Sequence, residues 1–462
     1  MSRKQFDTEL IKRYDRNGPR YTSYPTAVEF DPDFSARQYK HQAMESNQHL
    51  IPRSLSLYFH IPFCTSLCYF CACNKKVTTH PEEAEIYLQS LRQEIEWQGQ
   101  LFDLDRRVVQ LHFGGGTPTY LTNEQLRKLL KYTATHFSMD QYAGAEWSIE
   151  VDPRTMDPSR IKALAEMGFN RLSMGVQDFE SRVQKAVNRV QSVTQTADLI
   201  KAARKQGFRS VSIDLIYGLP LQTPSSFKRT LKKVIKMQPD RVSVYNYAHL
   251  PERFKAQRLI RDKDIPTSND KLQILALSIN HLTDAGYVYI GMDHFALSDD
   301  DLVIARDNGT LQRNFQGYST CVQCDLIGLG VSAISQVRDC FSQNYKYLPE
   351  YYRAIADREL PVERGLMIDD EDWLRHDIIQ KIMCHGRLVF ADYSSVFNID
   401  FTVFFKQELK NLKPLQSDGL LVITKDELKV TEAGQMFLRS IAMEFDQYLR
   451  KRTNGRRFSK VL

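Results

Sequence analysis

The residues best suited to chemistry are four cysteines that lie within ten residues of one another. Cys64, Cys68 and Cys71 form a C-x-x-x-C-x-x-C motif, and Cys73 follows two residues later. Three thiolates on one loop can bind three irons of a cubane cluster and leave the fourth iron open. The alternative is structural zinc with Cys73 as fourth ligand. The spacing differs from the paired C-x-x-C knuckles of zinc ribbons, so we favour the iron–sulfur cluster.

Glycines and polar residues stand at the ends of further strand-like segments. In chain order they are 114–118 (GGGTP), Glu150 and Asp152, Gln177 and Asp178, Asp214, and 246–249 (NYAH). Glycines let a backbone approach a ligand closely, and carboxylates can bind ammonium groups or hydroxyls. The glycine run lacks the Lys-Ser/Thr of a phosphate-binding P-loop.

The elements that position these residues alternate along the chain. Strand-like segments cover 55–61, 108–113, 147–152, 171–176, 210–218 and 241–247, and amphipathic helices cover 82–101, 123–137, 159–169, 196–208, 225–237 and 269–287. Six β-then-α units predict parallel strands, because each crossover returns the chain to the same end of the sheet. We predict an α/β protein with a partial (β/α)6 TIM-like barrel. Its functional residues would meet at the carboxyl ends of the strands.

Two flanking regions differ from the barrel in pattern. We predict an N-terminal extension over the active site at 1–54, the barrel with its closing segments at 55–364, and a mainly helical C-terminal domain at 365–462. The order of helices and short strands in this last region is winged-helix-like. Winged helices also occur in DNA-binding proteins, but acidic residues stand beside the basic ones here, so we favour a packing domain.

Charge and composition limit the partners and the compartment. The 462 residues carry 62 Lys and Arg against 56 Asp and Glu, a formal net charge of +6. The basic tail 450–462 holds six basic residues and no acidic one, so the remaining chain is neutral, which argues against a nucleic-acid surface. The N-terminus lacks an apolar signal segment, and no run approaches the roughly 18 apolar residues of a membrane span. We therefore expect a cytoplasmic protein.

Ten sequence strings together resemble a known family. They are GPRYTSYPTA, YFHIPFC, CYFCACNK, GGGTPTYL, IEVDPR, NRLSMGVQDF, DLIYGLP, YNYAHLP, GMDHFA and RNFQGY. A C-x-x-x-C-x-x-C loop after the first strand of a barrel is similar to the radical S-adenosylmethionine (SAM) superfamily. The ten strings in this order resemble, within it, the oxygen-independent coproporphyrinogen III oxidase family.

The resemblance implies roles for individual residues. Cys64, Cys68 and Cys71 would bind a 4Fe–4S cluster with one open iron, and Cys73 and Tyr58 would be catalytic residues beside it. Two SAM molecules would bind. Tyr58, Gly115, Glu150, Ala248 and Ile334 would face the cluster-bound molecule, and Phe70, Gly116, Thr117, Gln177, Arg189 and Asp214 would face the second. On chemistry alone, Arg20 and Arg313 are candidates for the substrate's carboxylates.

The reaction implied by the resemblance is the oxidative decarboxylation of two propionates of coproporphyrinogen III, started by a 5′-deoxyadenosyl radical. It gives the vinyl groups of protoporphyrinogen IX in haem biosynthesis. The expected partners are the porphyrinogen, a flavodoxin- or ferredoxin-type electron donor and an unknown acceptor, and we expect a monomer. Alternatives are a haem-binding chaperone of the same superfamily, whose members typically lack the C-x-C and the N-terminal extension, and an iron–sulfur transcription factor. The Cys321-x-x-Cys324 pair departs from the family's pattern, and we interpret it as two reduced thiols.

Overall fold

The computed structural model describes residues 8–139, 144–321 and 324–451, so the predicted basic tail lies mostly outside the described residues. The chain forms two compact units. The barrel unit comprises Phe30–Ser278 and Gln323–Met367, and the second unit comprises Met1–Glu29, Ile279–Val322 and Ile368–Leu462. Because these units interleave along the chain, the predicted boundaries after residues 54 and 364 stay predictions.

The strands of the described residues are short and numerous. They are β1 Leu55–Ile61, β2 Phe63–Cys64, β3 Lys76–Val77, β4 Val108–Gly115, β5 Glu146–Val151, β6 Arg171–Gln177, β7 Ser210–Tyr217, β8 Arg241–Asn246, β9 Tyr287–Gly291, β10 His294–Leu297, β11 Gln312–Asn314, β12 Gly317–Ser319, β13 Asp325–Leu329, β14 Ile334–Val337, β15 Cys340–Asn344, β16 Val362–Met367, β17 Arg387–Val389, β18 Leu421–Ile423 and β19 Glu427–Val430.

The α-helices alternate with the strands in the first half of the chain and dominate its end. They are α1 Thr8–Tyr14, α2 Ala36–Glu45, α3 Glu82–Gly99, α4 Asn123–Thr133, α5 Pro158–Glu166, α6 Ser181–Ala186, α7 Val193–Lys205, α8 Pro224–Met237, α9 Ser268–Asp284, α10 Asp301–Asp307, α11 Leu348–Ala356, α12 Asp370–His385, α13 Phe390–Val396, α14 Phe401–Phe404, α15 Lys406–Asn411, α16 Lys413–Ser417, α17 Leu438–Ala442 and α18 Gln447–Lys451.

The barrel unit is built on one sheet whose strands follow the order β16-β15-β14-β13-β1-β4-β5-β6-β7-β8. The six predicted strands β1 and β4–β8 are parallel neighbours, which confirms the predicted α/β class and the parallel strands. A seventh parallel strand, β13, which the sequence pattern did not predict, pairs with the other side of β1. From β13 onward the sheet continues with antiparallel pairs.

Buried apolar residues lie on both faces of the central strands. Six of the seven residues of β1 are buried, as expected for a sheet enclosed by helices. Phe59 of β1 stacks on Phe113 of β4 with ring centroids 4.5 Å apart. Local signals start the crossover helices: Thr122 and Gln125 form a capping box at α4, and Thr223 and Ser226 form another at α8.

The second unit contains the two hairpins β9–β10 and β11–β12 and the small sheet β17-β19-β18. The C-terminal region is mainly helical as predicted, and its hairpin β18–β19 gains a third strand, β17, that the sequence analysis missed. The chain turns back between β9 and β10 at Met292, which adopts a positive φ of 54°, so the two strands pair antiparallel. No helix in the described part of the chain is long and apolar enough to cross a membrane.

Candidate active site

A cavity of about 270 Å³ lies at the carboxyl ends of the central strands of the barrel unit. It is lined by Cys64, Ser66, Cys68, Phe70, Cys71, Cys73, Lys75, Gly115, Gly116, Thr117, Glu150, Val151, Asp152, Arg154, Ser173, Gly175, Gln177, Arg189 and Asp214. The three motif cysteines and Cys73 are among them. So are Phe70, Gly115, Gly116, Thr117, Glu150, Gln177, Arg189 and Asp214, the other predicted residues that the fold brings together. Within the described chain, Tyr58, Ala248 and Ile334 do not line this cavity.

The glycine run holds the cysteine loop against the end of β4. The Gly116 N–H donates to the Ile61 carbonyl at 2.8 Å, and the Thr117 N–H donates to the Phe63 carbonyl at 2.8 Å. A Cβ on Gly116 would lie 2.7 Å from the carbonyl oxygens of Pro62 and Phe63, so only glycine fits this contact. The Thr117 hydroxyl lies 3.6 Å from the Cys64 sulfur. The glycines therefore position the cysteine loop, and they also leave space for a ligand.

The thiols of the loop sit in contrasting surroundings. Burial raises the pKa of Cys64 to about 11. A hydrogen bond from the Cys73 thiol lowers the pKa of Cys71 to about 6, so Cys73 keeps the proton that this pair shares. The Lys75 ammonium donates to the Cys71 carbonyl at 3.0 Å and adds positive charge beside the loop.

The three motif cysteines line one cavity, where a cluster could bind. No three His, Cys, Asp or Glu side chains of the described residues converge closely enough to hold one metal ion. A cubane cluster needs cysteines that are spaced farther apart than the ligands of one ion, because each thiolate binds its own iron. Cys64, Cys68 and Cys71 face one cavity with cationic side chains beside them. These residues fit a cluster that is held by three cysteines.

Glu150 is held by a histidine that the sequence analysis did not select. His112 of β4 lies with Nε2 3.2 Å from Glu150 Oε1 and with Nδ1 next to the Ser148 hydroxyl. Both bonds form if Nε2–H donates to the carboxylate and Nδ1 accepts from the Ser148 hydroxyl. The same ring stacks on Tyr58, with centroids 5.7 Å apart. His112 thus supports two predicted cofactor contacts at once.

Tyr58 and His60 form the wall behind this pair. The His60 Nε2–H donates to the Asn74 carbonyl at 3.0 Å, so its Nδ1 accepts from the Tyr58 hydroxyl at 3.1 Å. Burial lowers the pKa of His60, which keeps the ring neutral. Burial also raises the pKa of Tyr58 well above its usual range. Both ring nitrogens of His60 therefore form hydrogen bonds within the protein, which supports a structural role for this residue.

Asp214 and Gln177 lie on the strands next to Glu150. Burial and the charge of Glu150 raise the pKa of Asp214 to about 6, and Ser173 donates to Asp214 at 3.1 Å. Gln177 has a positive φ of 69° at an irregularity in the β6–β7 pairing. Its buried Oε1 has no hydrogen-bond partner among the described residues, although it lines the cavity. A ligand with ammonium or hydroxyl donors would satisfy this oxygen.

Phe70 anchors the cysteine loop through its ring and through its backbone carbonyl. Its ring packs against a buried apolar cluster that includes Val183 and Tyr247. The Gln257 amide donates to the Phe70 carbonyl at 3.1 Å and to the Ala248 carbonyl at 3.2 Å. One side chain therefore joins the loop to the segment after β8, which places Ala248 close to the site although it does not line the cavity.

Arg154 and Arg189 flank Asp152, although only Arg189 was predicted from the sequence as a site residue. Arg154 contacts Asp152 at 2.6 Å and Arg189 contacts it at 3.1 Å. Burial acts to raise the pKa of Asp152, but the hydrogen bond from Arg154 and the charge of Arg189 outweigh it and lower the pKa. Four of the five N–H groups of Arg189 point at Cys68, Asp152 and the Gly175 carbonyl.

Comparison with known proteins identifies this assembly. Residues 58–234 match the Radical SAM superfamily, and residues 368–437 match the HemN C-terminal domain. The oxygen-independent coproporphyrinogen III oxidase of Pseudomonas aeruginosa is 47% identical over 99% of this chain and 99% of its own. The Escherichia coli protein of the same name is 47% identical over 99% of this chain and 98% of its own. The chain belongs to the oxygen-independent coproporphyrinogen III oxidase family.

This family assignment extends to the three-dimensional structure. The solved coproporphyrinogen III oxidase of Escherichia coli, described as a radical SAM enzyme, matches with a TM-score of 0.91 and 46% identity. The match covers 97% of this chain and 100% of that one. The chain is therefore a radical SAM oxidoreductase, and its superfamily implies a 4Fe–4S cluster and SAM.

The remaining predicted residues of this coproporphyrinogen III oxidase family member are not among the described residues that line the cavity. Ile334 starts β14, two strands from β1. Arg20 and Arg313 both belong to the second unit. Arg20 forms an ion pair with Asp293. Arg313 is 4% exposed, lies 4.7 Å from the Tyr318 ring centre, and has no hydrogen-bond partner for Nη1 among the described residues.

His112, Arg154 and Ser173 are site residues that the sequence analysis missed. Their signal was present in the two-residue period of the strands, since His112 precedes Gly114 by two and Ser173 precedes Gly175 by two. Arg154 lies within the IEVDPR string, three residues after the end of β5. Each stands on a cavity-facing strand or just beyond one, which is the pattern that would have selected them.

Proposed function

We propose that this chain converts two propionate side chains of coproporphyrinogen III to vinyl groups without oxygen, giving protoporphyrinogen IX. The observation that carries the proposal is the cavity that collects the three motif cysteines, the glycine run, Glu150 and Asp214. Full-length relatives that carry this enzyme name support it. The reaction is an oxidative decarboxylation and needs an external electron acceptor.

The three cysteines Cys64, Cys68 and Cys71 would hold the cluster. The bound cluster and SAM together would supply the radical that abstracts hydrogen from a propionate. The protein's own contribution is position: Phe70 is fixed by packing, and the glycine contacts hold the loop to β4. A reactive centre at the end of a packed barrel is kept near its target and away from water. Cys73 would remain outside the ligand set as a catalytic residue beside Tyr58.

Two SAM molecules are part of the proposal. Tyr58, Gly115, Glu150, Ala248 and Ile334 would face the first, and Phe70, Gly116, Thr117, Gln177, Arg189 and Asp214 would face the second. The orphaned Gln177 oxygen and the buried Asp214 carboxyl supply acceptors for ammonium or hydroxyl groups. Arg189 keeps one N–H group for a ligand carboxylate, so that contact would be a single hydrogen bond.

The substrate and the electron partners complete the proposal. Arg313 is a buried guanidinium with no ion pair within the described part of the second unit, and Arg20 lies near it in that unit, with its backbone carbonyl 3.4 Å from Arg313 Nε. A buried cation is costly without an anion, so a substrate carboxylate is a suitable partner for Arg313. The donor would be of the flavodoxin or ferredoxin type. The monomeric state and cytoplasmic location stay predictions.

The test is turnover by the anaerobically reconstituted enzyme with SAM and dithionite. The wild type should form protoporphyrinogen IX, and Cys64→Ala should abolish it with loss of cluster absorbance. The matched control is Cys340→Ala, which removes a buried thiol in β15 outside the cavity. Turnover that survives loss of Cys64 would refute the cluster assignment. Stable haem capture without decarboxylation would favour the chaperone alternative.

A further inference from the structure

Two arginine side chains contact the sulfur of the middle cysteine. Arg154 Nη2 lies 3.5 Å from Cys68 Sγ, and Arg189 Nη1 lies 3.4 Å from the same atom. Cys68 is buried, with 7% of its surface exposed. The Cys64 sulfur, by contrast, meets the neutral hydroxyl of Thr117. The loop therefore has one sulfur that receives two charged N–H donors.

Asp152 holds both guanidinium groups in this position. Arg154 bonds Asp152 through Nε at 3.0 Å and Nη2 at 2.6 Å, and Arg189 bonds the same carboxylate through Nη1 at 3.1 Å. The three side chains are 18%, 8% and 9% exposed for Arg154, Asp152 and Arg189. Two cations share one anion, so the group carries a net positive charge next to Cys68.

Backbone contacts on both sides of Cys68 keep the sulfur in register with the arginines. The Tyr69 N–H donates to the Val187 carbonyl at 3.1 Å. The side-chain amide of Asn188 donates to the Leu67 carbonyl at 2.8 Å. Leu67 and Tyr69 flank Cys68 in sequence, and Val187 and Asn188 directly precede Arg189. The N–H···S contacts are therefore built into the packing of two segments.

Hydrogen bonds and charge at a ligating sulfur change the reduction potential of an iron–sulfur cluster. Potentials depend on net charge, hydrogen bonds to sulfur and solvent exposure. Reduction adds one electron to a cluster held by anionic thiolates, so N–H donors and positive charge at a thiolate stabilise the reduced state. Arg154 has no role in the sequence-based site, which leaves its place at Cys68 to be explained.

We propose that Arg154, with Arg189 and Asp152, raises the reduction potential of the cluster through its contact with Cys68. The inference rests on the proposed function only in that Cys68 binds the cluster. One electron enters the cluster from an external low-potential donor, and no bond of the protein forms or breaks. Arg154 is thus a positioning residue that acts through Cys68, and it makes the first electron transfer easier.

The experiment is a redox titration of the reconstituted full-length protein without substrate, with titanium(III) citrate as reductant and the electron paramagnetic resonance signal of the reduced cluster as readout. Arg154→Gln removes the charge and keeps a polar side chain. We expect the reduced-to-oxidised ratio at a fixed potential to fall about tenfold, a midpoint about 59 mV lower for a one-electron couple. Arg229→Gln is the matched control, since Arg229 pairs with Glu180 and is 52% exposed outside the cavity. Its midpoint should equal that of the wild type.

Iron and sulfide content confirms that each variant holds a full cluster. An Arg154→Gln midpoint equal to the wild-type value, at full cluster content, would overturn the proposal. If that variant holds no cluster, Arg154→Lys replaces it, because lysine keeps the charge with a single donor group. Its midpoint should lie below the wild-type value. Failure of both variants to hold a cluster also overturns the proposal, which assigns Arg154 to the potential and not to assembly. Absence of decarboxylation by the wild type would count against the proposed function and leave the midpoint result intact.

Discussion

Replacing His112 with phenylalanine should weaken SAM binding by a modest and predictable factor. The phenyl ring keeps the stacking on Tyr58 and removes both hydrogen bonds of the imidazole. Ser148 is not left unpaired by the change, because its hydroxyl can still donate to the Leu111 carbonyl at 3.4 Å. The variant therefore isolates the bond between His112 and Glu150.

The magnitude follows from the surroundings of Glu150. Its side chain is 45% exposed, so water can replace the lost imidazole donor. The variant then loses only the orientation of the carboxylate, which is worth about 1 kcal/mol, in the range of an ordinary net hydrogen bond. This corresponds to about a fivefold rise in the Kd of SAM. A buried and uncompensated carboxylate would give a much larger effect.

The assay is anaerobic calorimetric titration of SAM into cluster-loaded protein. Glu150→Gln is the companion variant, and His136→Phe is the matched control, because the His136 ring packs at a tilt against Tyr132 outside the cavity. If Glu150→Gln weakens SAM binding and His112→Phe does not, the role of His112 is wrong. If neither weakens it, the assignment of Glu150 to SAM is wrong as well.

Two further substitutions test the packing around the site. Gly116→Ala would place a Cβ 2.7 Å from the carbonyl oxygens of Pro62 and Phe63, which should cost about 1–3 kcal/mol of folding stability. The cysteine loop should therefore move, and the iron content per chain should fall. Unchanged iron content would contradict this. Burial raises the pKa of Glu94 from 4.5 to about 7, so the folded protein keeps a proton that the unfolded chain loses as the pH rises through this window. Wild-type stability should therefore fall by about 3 kcal/mol relative to Glu94→Gln between about pH 4.5 and about pH 7. In anaerobic melting curves the wild-type Tm should fall relative to that of Glu94→Gln as the pH rises from about 4.5 to about 7, and a constant difference would disprove the account.

Much of the fold could be predicted because its signals are local. The period of apolar residues marked six strands within a few residues of their observed ends, and alternation with helices implied that they are parallel. The strand β13 was missed because it follows the short hairpin β11–β12 and is not part of a β-then-α repeat. The strand β17 is only three residues long, too short for a period to be visible.

The sequence by itself determined the chemistry: the spacing of Cys64, Cys68 and Cys71 favours a cluster, and the ends of parallel strands must share one edge of the sheet. Only the tertiary structure decided which charges reach which atoms. Arg189 meets the Cys68 sulfur from 121 residues away, and His112 meets Glu150 from 38 residues away. Such contacts depend on strand register and on side-chain conformations chosen by packing. No local period encodes them, so they became visible only when the strands were placed side by side.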